Sequence, residues 1–266
     1  ITTTPPTFWP GYTSGSSLLV GPDGQLISTK SVPHQVEDNE PSSSKNFRVW
    51  TPDQASLYLS GNPAKLLQGH NLWGSMDAAG YFLEAGQFVR KHVGLFPGHS
   101  TWESCRFSAP RFTRLDITRS YRFASDAEAL DYVRFVAGTA KTRHGAAKLY
   151  ASGTAYFGQN SRRWTLKIYA KRQEMEYTRP NRLKRSVGVP DLSDDLYDWA
   201  TGVVRFELTL RALEMKNHPG LNVFNPSELE NLWFHYFNTV QFNENHAMTT
   251  KPDLIESALP GRLQAT

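Results

Sequence analysis

A tyrosine, two carboxylates and a series of lysines and arginines alternate with apolar residues in three segments of this chain. In 163–171, Thr165, Lys167, Tyr169 and Lys171 alternate with Trp164, Leu166, Ile168 and Ala170. In 203–212, Arg205, Glu207, Thr209 and Arg211 alternate with Val204, Phe206, Leu208 and Leu210. In 111–123, Arg114, Asp116, Thr118 and Ser120 oppose Leu115, Ile117, Tyr121 and Phe123. A period of two predicts strands, each with one apolar and one polar face. Together the polar faces hold the groups needed to bind a hard divalent cation, attack a phosphate and neutralise its oxygens. Tyrosine is a poor nucleophile while its phenol keeps the proton, up to a pH of about 10. A nearby lysine stabilises the phenolate, and Lys171 follows Tyr169 on the same predicted face. The competing reading is an ordinary half-solvated sheet whose polar residues face water, and periodicity alone favours it.

The surroundings of Tyr169 are basic. Between Arg162 and Arg185 lie Arg163, Lys167, Lys171, Arg172, Arg179, Arg182 and Lys184, opposed only by Glu174 and Glu176. Trp164, Tyr169 and Tyr177 are interleaved, a mixture suited to phosphates and unstacked bases. A solvated charged face is the plainer account of such a run. The whole chain, 266 residues with a formal charge of +4, is only mildly basic, which is compatible with a nucleic-acid partner. Its single cysteine, Cys105, excludes an internal disulfide framework or a multi-cysteine zinc site and fits a reducing compartment. No stretch reaches the roughly 18 apolar residues of a membrane span. The start, Ile1-Thr-Thr-Thr-Pro-Pro, has neither the basic nor the apolar region of a signal peptide and lacks an initiator Met, so it reads as trimmed.

Several elements must position these groups. The first 45 residues, rich in Ser, Pro, Gly and Thr, predict a hairpin and a loop. Residues 47–60 and 63–68 read as short strands broken at Gly61-Asn62. A helix is expected over about 76–92, with Ala78, Phe82, Ala85 and Val89 on one face. Ser125-Asp-Ala-Glu128 is a capping box opening a helix striped by Ala129, Tyr132, Val133 and Val136. Strands over 148–157 and 163–171 flank Gly158-Gln-Asn160, and the basic segment then runs to about 190. A short helix (193–201) precedes the 203–212 strand, and Asn225-Pro226 opens a last helix carrying Leu229, Leu232, Trp233, Tyr236 and Phe237. The tail beyond about 243 is polar and weakly patterned. The expected class is α+β, a mostly antiparallel central sheet flanked by helices.

Four segments, in order, resemble the gene II (II/X) family of filamentous-phage replication initiators and, more widely, trans-acting rolling-circle plasmid initiators. Gly61-Asn-Pro-Ala-Lys-Leu-Leu-Gln-Gly-His-Asn-Leu-Trp-Gly74 is similar to that family's "PAK-LQGHN-FG" signature. Thr113-Arg-Leu-Asp-Ile-Thr118 resembles its "RID" strand, and Gly202-Val-Val-Arg-Phe-Glu-Leu208 its "VRFE" strand. Ser161-Arg-Arg-Trp-Thr-Leu-Lys-Ile-Tyr-Ala-Lys-Arg-Gln-Glu174 resembles its "SR…Y-K--E" motif. The resemblance implies nicking of one strand of supercoiled origin DNA, a tyrosine joined to the new 5′ phosphate, rolling-circle synthesis from the free 3′ hydroxyl, and later rejoining. It makes Tyr169 the nucleophile, Lys171 its electrostatic partner, and Asp116, Glu174 and Glu207 the ligands of Mg2+ or Mn2+. Arg163 and Arg205 would clamp phosphates, with Arg114, Arg162 and Lys167 as further DNA contacts.

Tyr156, on a neighbouring strand, is the rival nucleophile. His70 is a candidate DNA contact or metal ligand, with a hydrogen-bonded turn histidine as the alternative. The histidine–hydrophobic–histidine motif of the broader nickase superfamily is absent from the sequence, which favours a carboxylate-rich metal site. The expected organisation is an N-terminal region (1–45), a nicking domain (46–243) and a tail (244–266) leading to a C-terminal region that the family usually carries. The implied setting is a host cytoplasm, with a helicase and polymerase as partners. Two other functions fit the same residues: a DNA-binding replication regulator without chemistry, and a conjugative or mobilisation relaxase.

Overall fold

The computed structural model describes residues 15–32, 34–35, 47–50, 58–75, 77–93, 111–185, 192–242 and 253–255. The chain divides into two compact units, Ile1–Asn71 with Ala79–Phe112, and Leu72–Ala78 with Thr113–Thr266. Cys105, the Pro41–Lys45 loop and the expected strand positions 51–57 lie outside the described residues.

In the first unit, β1 (Gly15–Val20) and β2 (Leu26–Val32) form the expected antiparallel hairpin. Three short antiparallel strands follow, β3 (His34–Gln35), β4 (Arg48–Trp50) and β5 (Tyr58–Ser60). Residues 63–68, expected as a strand, are instead helix α1 (Pro63–Gln68). Capping decides this. The Asn62 side chain accepts from the Lys65 N–H at 2.9 Å, Pro63 occupies the first turn where no N–H is needed, and Gly69 closes the helix at φ 80°. Helix α2 (Ala78–Val93) forms close to where its apolar period placed it.

The second unit carries a small two-stranded ribbon, β7 (Lys141–Thr142) with β8 (Gly145–Ala146), and is built on a six-stranded sheet in the order β13-β6-β12-β11-β10-β9, with every neighbouring pair antiparallel. The centre of that sheet is β6 (Leu115–Arg122), β12 (Val203–Leu210) and β11 (Trp164–Ala170), with β10 (Thr154–Phe157) and β9 (Lys148–Tyr150) towards one edge. The class is α+β with an antiparallel central sheet, as the alternation of elements predicts. The expected 148–157 strand is in fact a hairpin, because Gly153 at φ 70° turns the chain between β9 and β10. At the other edge β13 (Asp253–Ile255) pairs with β6, where the sequence showed only a polar tail.

Helix α3 (Asp126–Thr139) covers part of the apolar face. It starts as expected, with Ser125 Oγ accepting from the Glu128 N–H at 3.2 Å and Glu128 Oε2 accepting from the Ala124 N–H at 3.0 Å. It buries Ala129, Val133 and Val136.

At one end of the polar face the chain folds over. Helix α4 (Lys171–Arg185) starts directly after β11, so Lys171 belongs to its first turn rather than to the strand as expected. Lys171 to Glu176 are good helix formers, and Arg172–Glu176 is a supporting pair at 3.2 Å. Met175 packs with Leu72, Tyr197 and Ala200 beside Trp73 and Trp199. The chain then runs through α5 (Asp194–Trp199) to Gly202, which enters β12 at φ 68°. A Cβ there would stand 2.3 Å from the Phe123 carbonyl oxygen.

Helices α6 (Ala212–Met215) and α7 (Pro226–Phe237) follow, α7 capped by Asn225 with Pro226 in its first turn. On the sheet's apolar side, α7 lays Tyr236 against Trp164 at 5.6 Å and Phe237 against Phe206 at 5.9 Å. Phe206 and Tyr236 are buried there, and full burial of a large apolar side chain contributes about 1.5–3 kcal/mol.

Candidate active site

Antiparallel register stacks the polar side chains in rows. Tyr169 lies opposite Arg205, and Arg205 opposite Ser120. The next row is Lys167, Glu207 and Thr118, and the one after it Thr165, Thr209 and Asp116. Asp116, Tyr169 and Glu207 thus share one face, as strand parity predicts.

The first two rows and the start of α4 form one cluster. The Tyr169 hydroxyl donates to Glu207 Oε2 at 3.2 Å, and the Arg205 guanidinium is hydrogen-bonded to the same hydroxyl. Lys167 Nζ pairs with Glu207 Oε1 at 2.6 Å, and Lys171 Nζ with Glu174 Oε2 at 2.8 Å. Both ammonium groups lie over the Tyr169 ring, 5.3 and 5.6 Å from its centroid. Glu174 lies five positions after Tyr169, and the turn from strand into helix returns the carboxylate to the phenol.

Burial sets the protonation of the cluster. It holds the Tyr169 phenol well above its ordinary value; Arg205 opposes this, while Glu207 and Glu174 add to it. Burial also brings the Lys171 ammonium down to about 8, with Arg205 reinforcing and Glu174 resisting the shift. Burial would raise the Glu174 carboxyl, but Lys171 and its hydrogen bond outweigh that and keep it below the usual range. Arg205 is itself buried, donating to Ser120 Oγ at 3.3 Å and to the Leu72 carbonyl.

A cleft of about 180 Å³ opens beside the cluster, lined by Thr154, Tyr156, Lys167, Tyr169, Glu174 and Tyr177 among others. Tyr156 pairs with Lys167 across β10 and β11, so both candidate nucleophiles face this cleft. Tyr177 was singled out from the sequence only as one of the aromatics interleaved in the basic segment, and Thr178 not at all. They lie three and four residues after Glu174, the helical spacing that puts side chains on one face, so reading 171–178 as a helix would have found them.

The other candidates lie elsewhere. Asp116 is one row beyond Glu207 and two beyond Tyr169, about 16 Å from the latter in an ideal sheet. It is exposed and bonded to Arg114 at 3.0 Å. Arg162 is exposed in the turn before β11. Arg163 pairs with Glu214 at 3.1 Å. His70 belongs to the first unit, beside Gln68 just past the α1 cap.

Among the described residues no three carboxylate, histidine or cysteine side chains converge into a metal cage. Magnesium does not require one, since it is commonly held by one or two carboxylates plus substrate phosphate and water. Glu174 and Glu207 meet that donor requirement.

A buried tyrosine between cations and carboxylates, on the polar face of an antiparallel sheet, defines the class of site: one suited to covalent phosphoryl chemistry. Sequence comparison adds the family. The profile of the N-terminal region of the phage gene 2 replication-associated proteins matches residues 12–230, and the chain belongs to that family. The replication-associated protein of this name from Enterobacteria phage I2-2 is 33% identical over 211 residues, covering 76% of this chain and 58% of the relative. That of Enterobacteria phage M13 is 27% identical over 187 residues, covering 65% and 42%, and that of Salmonella phage IKe is 28% identical over 188 residues, covering 65% and 41%. The chain therefore spans about half the length of these curated relatives. No solved structure matches. Among the described residues no helix is long and apolar enough to cross a membrane.

Proposed function

We propose that this chain initiates rolling-circle DNA replication by nicking and rejoining one strand through Tyr169. One observation carries the reading: the Tyr169 hydroxyl is bonded to Glu207 and Arg205, beneath two lysine ammonium groups, at the wall of an open cleft. Membership of a phage replication family supports the substrate, origin DNA.

In this mechanism Glu207 Oε2 accepts the phenol proton, and Arg205, Lys167 and Lys171 stabilise the phenolate. The phenolate oxygen forms a bond to the scissile phosphorus while the bond to the 3′ oxygen breaks. That oxygen takes up a proton to leave a 3′ hydroxyl, and the 5′ phosphate remains esterified to Tyr169. Rejoining is the reverse, with a 3′ hydroxyl attacking the phosphotyrosine. A magnesium or manganese ion held by Glu174 and Glu207 would supply Lewis-acid polarisation of the phosphate.

The test is incubation with supercoiled DNA carrying the cognate origin and magnesium, followed by mapping of the peptide–DNA adduct. The expected adduct is on Tyr169, and Tyr169→Phe should lose it while still binding DNA. An adduct on Tyr156, or full attachment by Tyr169→Phe, refutes the assignment.

A further inference from the structure

The polar face does not end at the cleft. Beyond β10 lies β9, the edge strand of the sheet, and register carries both active-site rows onto it. The Tyr169 row continues through Thr154 to Tyr150, and the Lys167 row through Tyr156 to Lys148. Tyr150 meets Tyr156 edge to face at 5.2 Å, and Lys148 Nζ lies 5.0 Å from the Tyr150 ring centroid. The Tyr150 hydroxyl is bonded to Gln159, which fixes the ring's orientation. Tyr177, 58% exposed, stands on the α4 wall of the same cleft. Two aromatic rings and a lysine therefore lead in an unbroken line from the nucleophile to the open edge of the sheet.

We propose that Tyr156, Tyr150 and Lys148 form a track that holds the single strand next to the scissile phosphate. This rests on the nicking reading above and deepens it by assigning the flanking nucleotides a site. The chemistry fits a single strand. Aromatic faces stack unpaired bases without regard to sequence, and a cation among them balances the backbone. The tyrosines' few rotatable bonds and mutual contact lower the ordering cost of binding. An edge lysine also serves simply to block strand addition, a role that gives no preference for DNA.

The discriminating measurement is binding of a fluorescein-labelled dT12 oligonucleotide to the chain, by anisotropy, across a salt series. Tyr150→Ala should weaken binding about tenfold, the usual scale for one stacked base. Tyr150→Phe keeps the ring and should bind within about twofold of the parent, which serves as the control if Tyr150→Ala folds poorly. Lys148→Ala, at an exposed position, should reduce the slope of log affinity against log salt by about 0.7. Parent-like dT12 affinity in Tyr150→Ala and an unchanged salt slope in Lys148→Ala overturn the track. Covalent attachment to origin DNA is scored on the same proteins. If the parent forms no adduct but the track variants lose dT12 binding, the nicking reading fails and the track stands. If adducts form normally and dT12 affinity does not change, the reverse holds.

Discussion

Arg205 offers the sharpest test of how the site is built, because the resemblance makes it a phosphate clamp whereas the structure buries it. It is 3% exposed and donates to the Leu72 carbonyl, Ser120 Oγ and the Tyr169 hydroxyl. Arg205→Ala leaves the first two acceptors buried without that donor, at about 1–3 kcal/mol each. The loss is partly offset because Arg205 also disfavours the charged form of Lys171. The expected net cost is about 3–5 kcal/mol, the range for breaking a buried charged network. For a chain of this size that is a fall in Tm of roughly 6–20 °C. Arg205→Lys should recover little, since an ammonium cannot fork to several acceptors. Thermal unfolding by circular dichroism reads the effect, and DNA affinity against salt reads the alternative. An arginine acting on phosphate would instead leave Tm alone and make the salt slope shallower by about 0.7–0.9. A melting point within about 2 °C of the parent, with that shallower slope, would refute the structural assignment.

Other expectations follow from the same cluster. Glu207→Gln removes the proton acceptor and should slow adduct formation by about 10²–10⁴-fold in single-turnover assays, with an unchanged rate counting against its role. Adduct formation should rise with pH on the acid side as the phenol ionises more readily. It should then fall above about 8 as Lys171 loses its ammonium, and Lys171→Arg should move that falling limb upward; a profile that climbs without a maximum to about pH 10 refutes this. For stability the sign is opposite. Folded Lys171 gives up its proton near pH 8 whereas the unfolded chain keeps it to 10.5, so the unfolded state binds more protons in that window. Urea midpoints should therefore show this site adding up to about 3 kcal/mol as pH rises from 8 to 10.5, with Lys171→Met abolishing the increment. Gly202→Ala, with φ 68° and a Cβ 2.3 Å from a carbonyl oxygen, should destabilise by about 2–4 kcal/mol in the same assay, and a parent-like midpoint would show that β12 can shift.

The strand faces were legible because alternation is local: residues 164–170 and 203–210 give the same polar set in sequence and in structure. What failed was reading past the strand ends. Lys171 continues the alternation of β11, yet the chain is already helical there, in a run of good helix formers. The same turn brings Glu174 to the phenol, which strand parity could not show. At Asn62-Pro63 the cap and the proline were visible, but a short apolar run reads equally well as strand or helix. Register between distant strands is the part that no single sequence supplies. Only with β6, β12 and β11 paired does Asp116 fall in the row of Thr209, away from Glu207.

The charge count of the cluster suggests why a tyrosine this deeply buried is a sensible nucleophile. Arg205, Lys167 and Lys171 supply three positive charges against two negative charges from Glu174 and Glu207. One surplus positive charge remains, in surroundings of low dielectric where it is poorly screened. Three events cancel it: Lys171 can release its proton, Tyr169 can ionise, or a phosphate can enter the cleft. The first adds to burial, which is the main cause of the lowered Lys171. The second, once Glu207 has passed the phenol proton on to solvent, neutralises the cluster instead of adding charge to it, offsetting part of the burial cost. The third links substrate to protonation, because a bound phosphodiester favours the charged lysine that the phenolate needs. On the proposed nicking reading, burial holds the phenol protonated in the free chain, and the charged Lys171 favoured by a bound phosphodiester is what would offset that anion's own resistance to phenolate formation.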